Sequence, residues 1–360
     1  MKTINIHCPL NTTSYGYVSS NIMQELHKLG YKIYHTPISQ NSPDSTILPK
    51  LNSIINNRVF NENSVSLKIW HQNDLSTITD RGRVLGFPIF ELETFDEIEK
   101  ISLEYPDKLL VCSKWAKQVV VNNTKRDPNS IEVVPLGIDD EIFKASPMPN
   151  KTTTVFANFG KFEIRKGHDV LPEIFNAAFT VDDDVALVMM PHNFFLNQFE
   201  TDQWVRSFKN TKLGDKIHFV NRVENQTMVY NIMEQVHCGI FPARAEGWNL
   251  EALELLATGR HLIITNCTGH TEFCNKNNSR LIEMTSGYER AYDAKFFNGL
   301  HQWRKIGKDE KEQMINHMRE IHKLHQNGEL GINLSGVNDS LNFTWRRSAC
   351  EINKIISNWS

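Results

Sequence analysis

The sequence predicts an α/β protein built from two doubly wound domains that face each other across a cleft. Short apolar or β-branched runs alternate with longer amphipathic segments along the chain, the signature of βαβ units and a parallel sheet. The alternation is interrupted at KASPMPNK, Lys144 to Lys151, a Pro-rich polar stretch that reads as a linker. The length of 360 residues also exceeds what one hydrophobic core usually serves. The expected first domain is residues 1–145 and the second 152–335.

In the first half the strand candidates are INIHC (Ile4 to Cys8), YKIYH, SLKIWH, VLGFPIF, KLLVCS and IEVVPLG. Helical patterns run from about Val18 to Leu29 and over KWAKQVVVNN. After the linker the strands are TTVFANFG, VALVMM, KIHFVN, CGIFPA and RHLIIT, each separated by a helical stretch, and from about Asp309 the tail reads as helical throughout.

Composition narrows the function classes. Hydrophobic residues make up 40% and charged residues 22%, as in soluble globular enzymes. Lys and Arg number 39 against 42 Asp and Glu, so no net basic field favours nucleic acid or anionic lipid. The six cysteines are scattered without C-x-x-C pairing, which points to free thiols in a reducing compartment. The start, MKTINIHCPL, is too polar for a signal peptide, and no apolar run reaches the roughly 20 residues of a membrane helix. No integral membrane segment and a cytoplasmic location are therefore expected.

Two stretches carry chemistry. In EGWNLEALELL, Glu246 and Glu254 lie eight positions apart, about 80° around a helix. CGIFPA reads as a buried strand and RAEGW as the loop after it. Asn249 is a good N-cap for a helix from Leu250 to about Thr258, closed by Gly259. Glu246 then belongs to the loop and Glu254 to the second helical turn, and the unpaired amides of Gly247 to Ala252 are expected to point into the cleft as an anion site. The second stretch is GKFEIRKGHDV, Gly160 to Val170, where Arg165 and Lys166 precede Gly167 and a helix expected to start near His168. Two cations at a helix N-terminus oppose its dipole, and a bound diphosphate would offset that cost. The run VDDDV, with Asp182 to Asp184, imitates a metal-binding D-x-D but precedes a strand, so a solvated turn is the better reading. GFPIFELETFDEIE places Phe90 and Phe95 either in an acceptor loop or in a packed helix start. No P-loop, G-x-G-x-x-G or H-E-x-x-H occurs.

EGWNLEALELLATG resembles the E-x7-E signature of retaining glycosyltransferases of the GT-B fold, specifically family 4, whose pattern runs close to E-G-F-G-L-P-x-x-E. The resemblance extends to GKFEIRKGHDV, KLLVCSKWAKQVV, VVPLGIDDEIF, TNCTGHTEF and FTWRRSA. Asn249 stands for the usual Gly and Glu251 for the usual Pro, and both suit a helix start. The resemblance implies two Rossmann-like domains, the first for the acceptor and the second for the donor, with a C-terminal helix over residues 336–360 crossing back to the first.

It also implies roles. Glu246 would contact the donor sugar near the reacting centre, and Glu254 would hold the ribose. Arg165 and Lys166 would grip the diphosphate. Gly16, in NTTSYGYVSS, would let the backbone approach donor and acceptor, and His71, in WHQNDL, would lie near the transferred sugar. Gly247, Trp248, Asn249 and Leu250 complete the expected donor site. Transfer would be retaining and front-face, from a UDP- or GDP-sugar, with no metal and no further cofactor. The acceptor stays open among glycan, lipid, protein and small molecule, with a modified DNA base less favoured by the neutral charge balance. A nucleotide-sugar epimerase and a non-catalytic nucleotide-sugar or glycan-binding module are the competing readings.

Overall fold

A computed structural model describes residues 2–43, 46–55, 60–78 and 80–359. The chain forms two compact units, Met1–Asp139 with Asn342–Ser360, and Asp140–Leu341. The first break falls just ahead of the Lys144–Lys151 stretch, and the return falls at Asn342, ahead of the last helix.

The first unit has six parallel strands: β1 Lys2–Cys8, β2 Tyr31–Pro37, β3 Val65–Trp70, β4 Val84–Pro88, β5 Lys108–Val111 and β6 Ile131–Val133. Their order is β2-β1-β3-β4-β5-β6, so the chain reverses direction across the sheet between β1 and β3. Helices α1 Ser14–Lys28, α2 Leu48–Ile55, α3 Glu97–Glu104 and α4 Lys114–Asn123 connect them. Phe90 and Phe95 pack edge to face at 4.9 Å in the core, and Asp96 with Glu99 forms a capping box at α3. GFPIFELETFDEIE is thus a packed helix start. A polar cluster lies between two central strands: Asn5 and His7 of β1 and Ser66 of β3 surround Asp80, whose carboxylate lies 2.8 Å from His7 Nε2.

The second unit repeats the plan with β7 Thr154–Phe159, β8 Val185–Met190, β9 Ile217–Phe219, β10 Cys238–Phe241, β11 His261–Thr265 and β12 Arg280–Ile282, ordered β12-β11-β10-β7-β8-β9. Its helices are α5 Leu171–Ala178, α6 Gln198–Lys209, α7 Gln226–Met233, α8 Leu250–Ala257, α9 Lys308–Gln326 and α10 Leu334–Ser340. Both units are therefore Rossmann-like sheets. On α9, Met314, Met318 and Ile321 recur at helical spacing and enter the core beside Phe156, Ile174 and Phe175. An antiparallel hairpin, β13 Tyr288–Tyr292 with β14 Asn298–Arg304, was absent from the sequence expectation. Its strands are largely exposed and their apolar residues do not alternate cleanly, so no core face announces them.

The final helix, α11 Trp345–Ser357, belongs to the first unit. It buries Trp345, Ala349 and Ile352, and the Trp345 ring meets Tyr17 of α1 edge on at 5.7 Å. Gly137 allows this return, since a Cβ there would overlap the backbone of Thr344 and Trp345. The helical tail is not continuous: it breaks at residues 327–333 and again at 341–344.

Candidate active site

In the second unit the chain leaves β7 toward β8 on one side and later returns to β10 on the other. The register Cys238↔Phe156 and Gly239↔Ala157 brings the carboxyl ends of β7 and β10 level. Doubly wound sheets bind ligands at such a switch point. The loop after β7 carries Arg165 and Lys166, and the loop after β10 carries Glu246. The Arg244 amide donates to the Arg165 carbonyl at 2.7 Å, and Gly167, at φ +76°, has no room for a Cβ against the carbonyl of Pro242. Only a glycine lets these loops meet so closely.

Five charges follow from that contact. Lys166 Nζ lies 2.6 Å from Glu246 Oε1, and Arg165 lies 2.9 Å from the other oxygen. Arg165 also pairs with Glu163 at 2.7 Å and donates to the Ala245 carbonyl at 2.6 Å. Lys161, with its side chain 40% exposed, reaches Glu163 at 2.9 Å. Burial alone would push the Glu246 carboxyl up, but Arg165 and Lys166 outweigh it and hold the group well below the usual carboxylate range. Glu163 is lowered in the same way, burial being outweighed by Arg165 and Lys161. For Lys166, burial favours loss of the proton, yet Glu246 and Glu251 keep it raised.

One expectation is corrected here. The helix after the loop starts at Leu171, not near His168, so Arg165 and Lys166 do not crowd a helix N-terminus. Glu163 and Glu246 offset their charge instead. The expected strain in the free protein is absent because the acids that relieve it come from elsewhere in the fold.

Glu246 is in the loop and Glu254 in the second turn of α8, both buried. Asn249 caps α8 by accepting from the Ala252 amide at 3.2 Å while holding φ 78°, ψ 74°. Glycine or Asn tolerates that left-handed conformation, which explains why Asn can stand at a glycine position. The amides of Leu250 and Glu251 precede the capped one in the first turn of α8. Leu250 opens the helix, and Trp248 is buried with its ring 5.1 Å from Phe273. Gly247 meets Gly269 backbone to backbone, which locks the β10 loop to the turn after β11.

Several residues escaped the sequence reading. Lys161 and Glu163 lie in the quoted GKFEIRKGHDV, but only the adjacent Arg-Lys pair stood out there. Thr268 accepts the Glu246 amide on its hydroxyl at 2.9 Å and adopts φ 57°, ψ −148°. That conformation is rare for a β-branched residue, and no sequence signal marks it. His270 is fully buried, and burial pulls its pKa down to about 4.

Gly16 and His71 lie in the first unit, at the carboxyl ends of its strands. Gly16 falls in the first turn of α1, where a Cβ would overlap the backbone of Asn11. His71 directly follows β3, is exposed, and sits 4.7 Å ring to ring from both Tyr15 and Trp70. Tyr15 in turn donates to the Ile89 carbonyl at 2.6 Å, tying α1 to the end of β4.

Residues 153–292 match the family model described as glycosyl transferases group 1. Among solved structures, the chain is similar to a glycosyltransferase from Rickettsia africae ESF-5, with 16% identity and a TM-score of 0.70 over 99% of this chain and 98% of that one. It is similar to Anabaena Alr3699/HepE in complex with UDP and glucose, with 11% identity and a TM-score of 0.68 over 99% of each chain. Sucrose-phosphate synthase from Thermosynechococcus elongatus gives 12% identity and a TM-score of 0.70 over 100% of this chain and 99% of that one. Comparison with curated proteins gives no match. The likeness to these structures establishes the GT-B fold, and the glycosyl transferases group 1 match within it supports a glycosyltransferase.

Proposed function

We propose that the chain is a retaining glycosyltransferase that takes its sugar from a nucleotide-sugar donor and works without a metal ion. The observation that carries this reading is the charge arrangement at the β7–β10 switch point. Lys161, Arg165 and Lys166 converge there on Glu163 and Glu246, and the first turn of α8 adds its amides. A leaving diphosphate needs such a preset field, because negative charge develops on it as the glycosidic bond breaks.

In this reading Lys166 and Arg165 turn from Glu246 toward the diphosphate. Glu246, ionised throughout the neutral range, faces the positive charge growing on the anomeric carbon. Glu254 takes the ribose hydroxyls, while Gly247 to Leu250 supply amides. Gly16 and His71 keep, within the first unit, the roles that the family resemblance gives them. The Anabaena neighbour has been solved with UDP and glucose, with UDP, and with UDP-glucose, which favours a UDP-sugar over a GDP-sugar. The acceptor is a hydroxyl of a glycan, lipid, protein or small molecule, with a modified DNA base the least favoured.

Calorimetry with UDP-, GDP- and ADP-sugars tests the donor. Binding of none of them would defeat the reading. With the best donor and an acceptor found by mass spectrometry, NMR of the product reads the anomeric configuration, and an inverted product would overturn retention. Activity should survive EDTA; collapse with recovery on Mg²⁺ or Mn²⁺ would overturn metal independence. Glu254→Ala should weaken UDP and UDP-sugar alike by about 1.5–3 kcal/mol. Unchanged affinity in the folded variant would take the ribose role away from Glu254.

A further inference from the structure

The cation-bearing loop, Gly160 to Val170, belongs to no helix or strand and is held locally by turn bonds such as Gly167 N–H to the Ile164 carbonyl at 2.9 Å, yet it holds three cations in place. Arg244 ties it to the β10 loop at the carbonyls of Arg165 and Ile164, and His168 ties it to the strands beneath. His168 is fully buried, and both its ring nitrogens are used. Nδ1 lies 3.2 Å from the Glu163 amide and must accept, since a backbone N–H can only donate. The single ring proton therefore sits on Nε2, which donates to Asn158 Oδ1 at 2.7 Å. Asn158, buried on β7, completes the chain by donating from Nδ2 to the Ile240 carbonyl of β10 at 2.7 Å. An unbroken line of hydrogen bonds thus runs from β10 through β7 to the backbone of Glu163, the residue whose carboxylate pairs with both Lys161 and Arg165. The Phe162 ring meets the imidazole edge on at 5.6 Å, and Trp204 meets it at 6.3 Å.

We propose that His168 is the positioning residue of the diphosphate subsite: as a neutral imidazole with its proton on Nε2, it anchors Glu163 to the two central strands and so sets where Lys161, Arg165 and Lys166 present their charge. The inference rests on the diphosphate reading above for its ligand, but not for its geometry. A charged imidazole would put a proton on Nδ1, facing the Glu163 N–H, and the anchor would open. Burial and the nearby Lys166 both disfavour that charge, holding the His168 pKa down at about 3. A tautomer with the proton on Nδ1 would break both ends of the line at once.

The test separates positioning from general stability. Calorimetry on the full chain compares UDP with UMP, so that the contribution of the β-phosphate is read as a ratio of affinities. His168→Leu keeps bulk but removes both hydrogen bonds, and the UDP-to-UMP ratio should fall about tenfold or more while UMP affinity stays within about twofold. His168→Gln can accept at its carbonyl and donate from its amide, so it should restore most of the ratio. Equal loss of UDP and UMP, or no rescue by Gln, would overturn positioning in favour of a merely structural role. If His168→Leu does not fold, ¹⁵N-histidine NMR of the wild type decides. The His168 signals should report the Nε2–H tautomer with no titration between about pH 5 and 8. An Nδ1–H tautomer, or titration in that range, would overturn the proposal. Failure of the wild type to bind either UDP or GDP would instead count against the donor reading, and the NMR result would still stand on its own.

Discussion

At the scale of single residues, the arrangement of Arg165 reverses a conclusion the sequence invites. Two adjacent cations near a helix start suggest a free protein under strain, relieved by removing them. In the fold, Arg165 is the shared partner of two buried carboxylates, Glu163 at 2.7 Å and Glu246 at 2.9 Å. Removing it takes one of two cations from each acid, leaving Lys161 with Glu163 and Lys166 with Glu246, and since breaking a buried pair outright costs about 3–5 kcal/mol, the low end of that range applies. Arg165→Ala should therefore lower stability in denaturant titrations by roughly that amount, with Glu163→Gln in the same chain restoring part of it. An unchanged midpoint would mean that the pairs contribute nothing to folding. The cost falls less heavily on Lys166→Ala, which loses the pair with Glu246 alone, whereas Arg165 pairs with both acids.

At the scale of elements, the entry into α8 shows which features the sequence discloses. The strand, the loop, the cap at Asn249 and the stop at Gly259 were all readable, because each depends on local residue chemistry. The left-handed backbone of Asn249 was not, although it explains the choice of residue: a small side chain that caps and also tolerates φ 78°. Asn249→Ala should cost about 1–2 kcal/mol through the lost cap and the positive φ, and Asn249→Gly only a few tenths. Equal losses in thermal melts would show that the conformation plays no part. The same distinction separates Glu246, visible as an acid in an apolar segment, from Glu163, His168 and Thr268. Glu163 pairs with near neighbours in sequence, but only the folded loop turns its carboxylate onto Lys161 and Arg165; His168 acts through Asn158 to the distant Ile240, and Thr268 through Glu246 and its backbone angles, and a single chain of letters carries no record of these. Strands with continuous apolar runs were legible in both units for the opposite reason, since burial on both faces writes itself directly into composition. The exposed hairpin β13–β14 had no such imprint.

At the scale of the whole molecule, the second unit carries a pH liability that follows from its buried histidines. His168, His237 and His270 are each fully buried there, and all three have depressed pKa values, about 3, 3 and 4. Burial is the first cause in each case, with Lys166 adding to it for His168 and the neighbouring His325, 4.0 Å away ring to ring, adding to it for His237. In the unfolded chain each returns to the ordinary value of 6.5 and takes up a proton that the folded form refuses. The unfolded state thus binds more protons below that value, so stability is full above about pH 6.5 and declines as the pH falls toward the folded values. Each silent histidine contributes roughly 1–2 kcal/mol between pH 7 and 5. The depressed carboxyls of Glu163 and Glu246 act in the same direction, but only below the ordinary carboxylate value of 4.5, so the two ranges separate. Calorimetric melts from pH 7.5 to 5.0 should therefore show the transition of residues 140–341 moving down while that of the first unit with α11 moves less. His237→Gln removes one of the three without touching the candidate site, since its ring lies at the start of β10 and accepts the Val155 amide at 3.0 Å. It should lower stability at pH 7.5 yet flatten the dependence on pH, by less than a third because His192, His261, His322 and His325 of the same unit are lowered as well. A slope identical to that of the wild type would mean that His237 is protonated in the folded state, and that the acid sensitivity of the unit has another source.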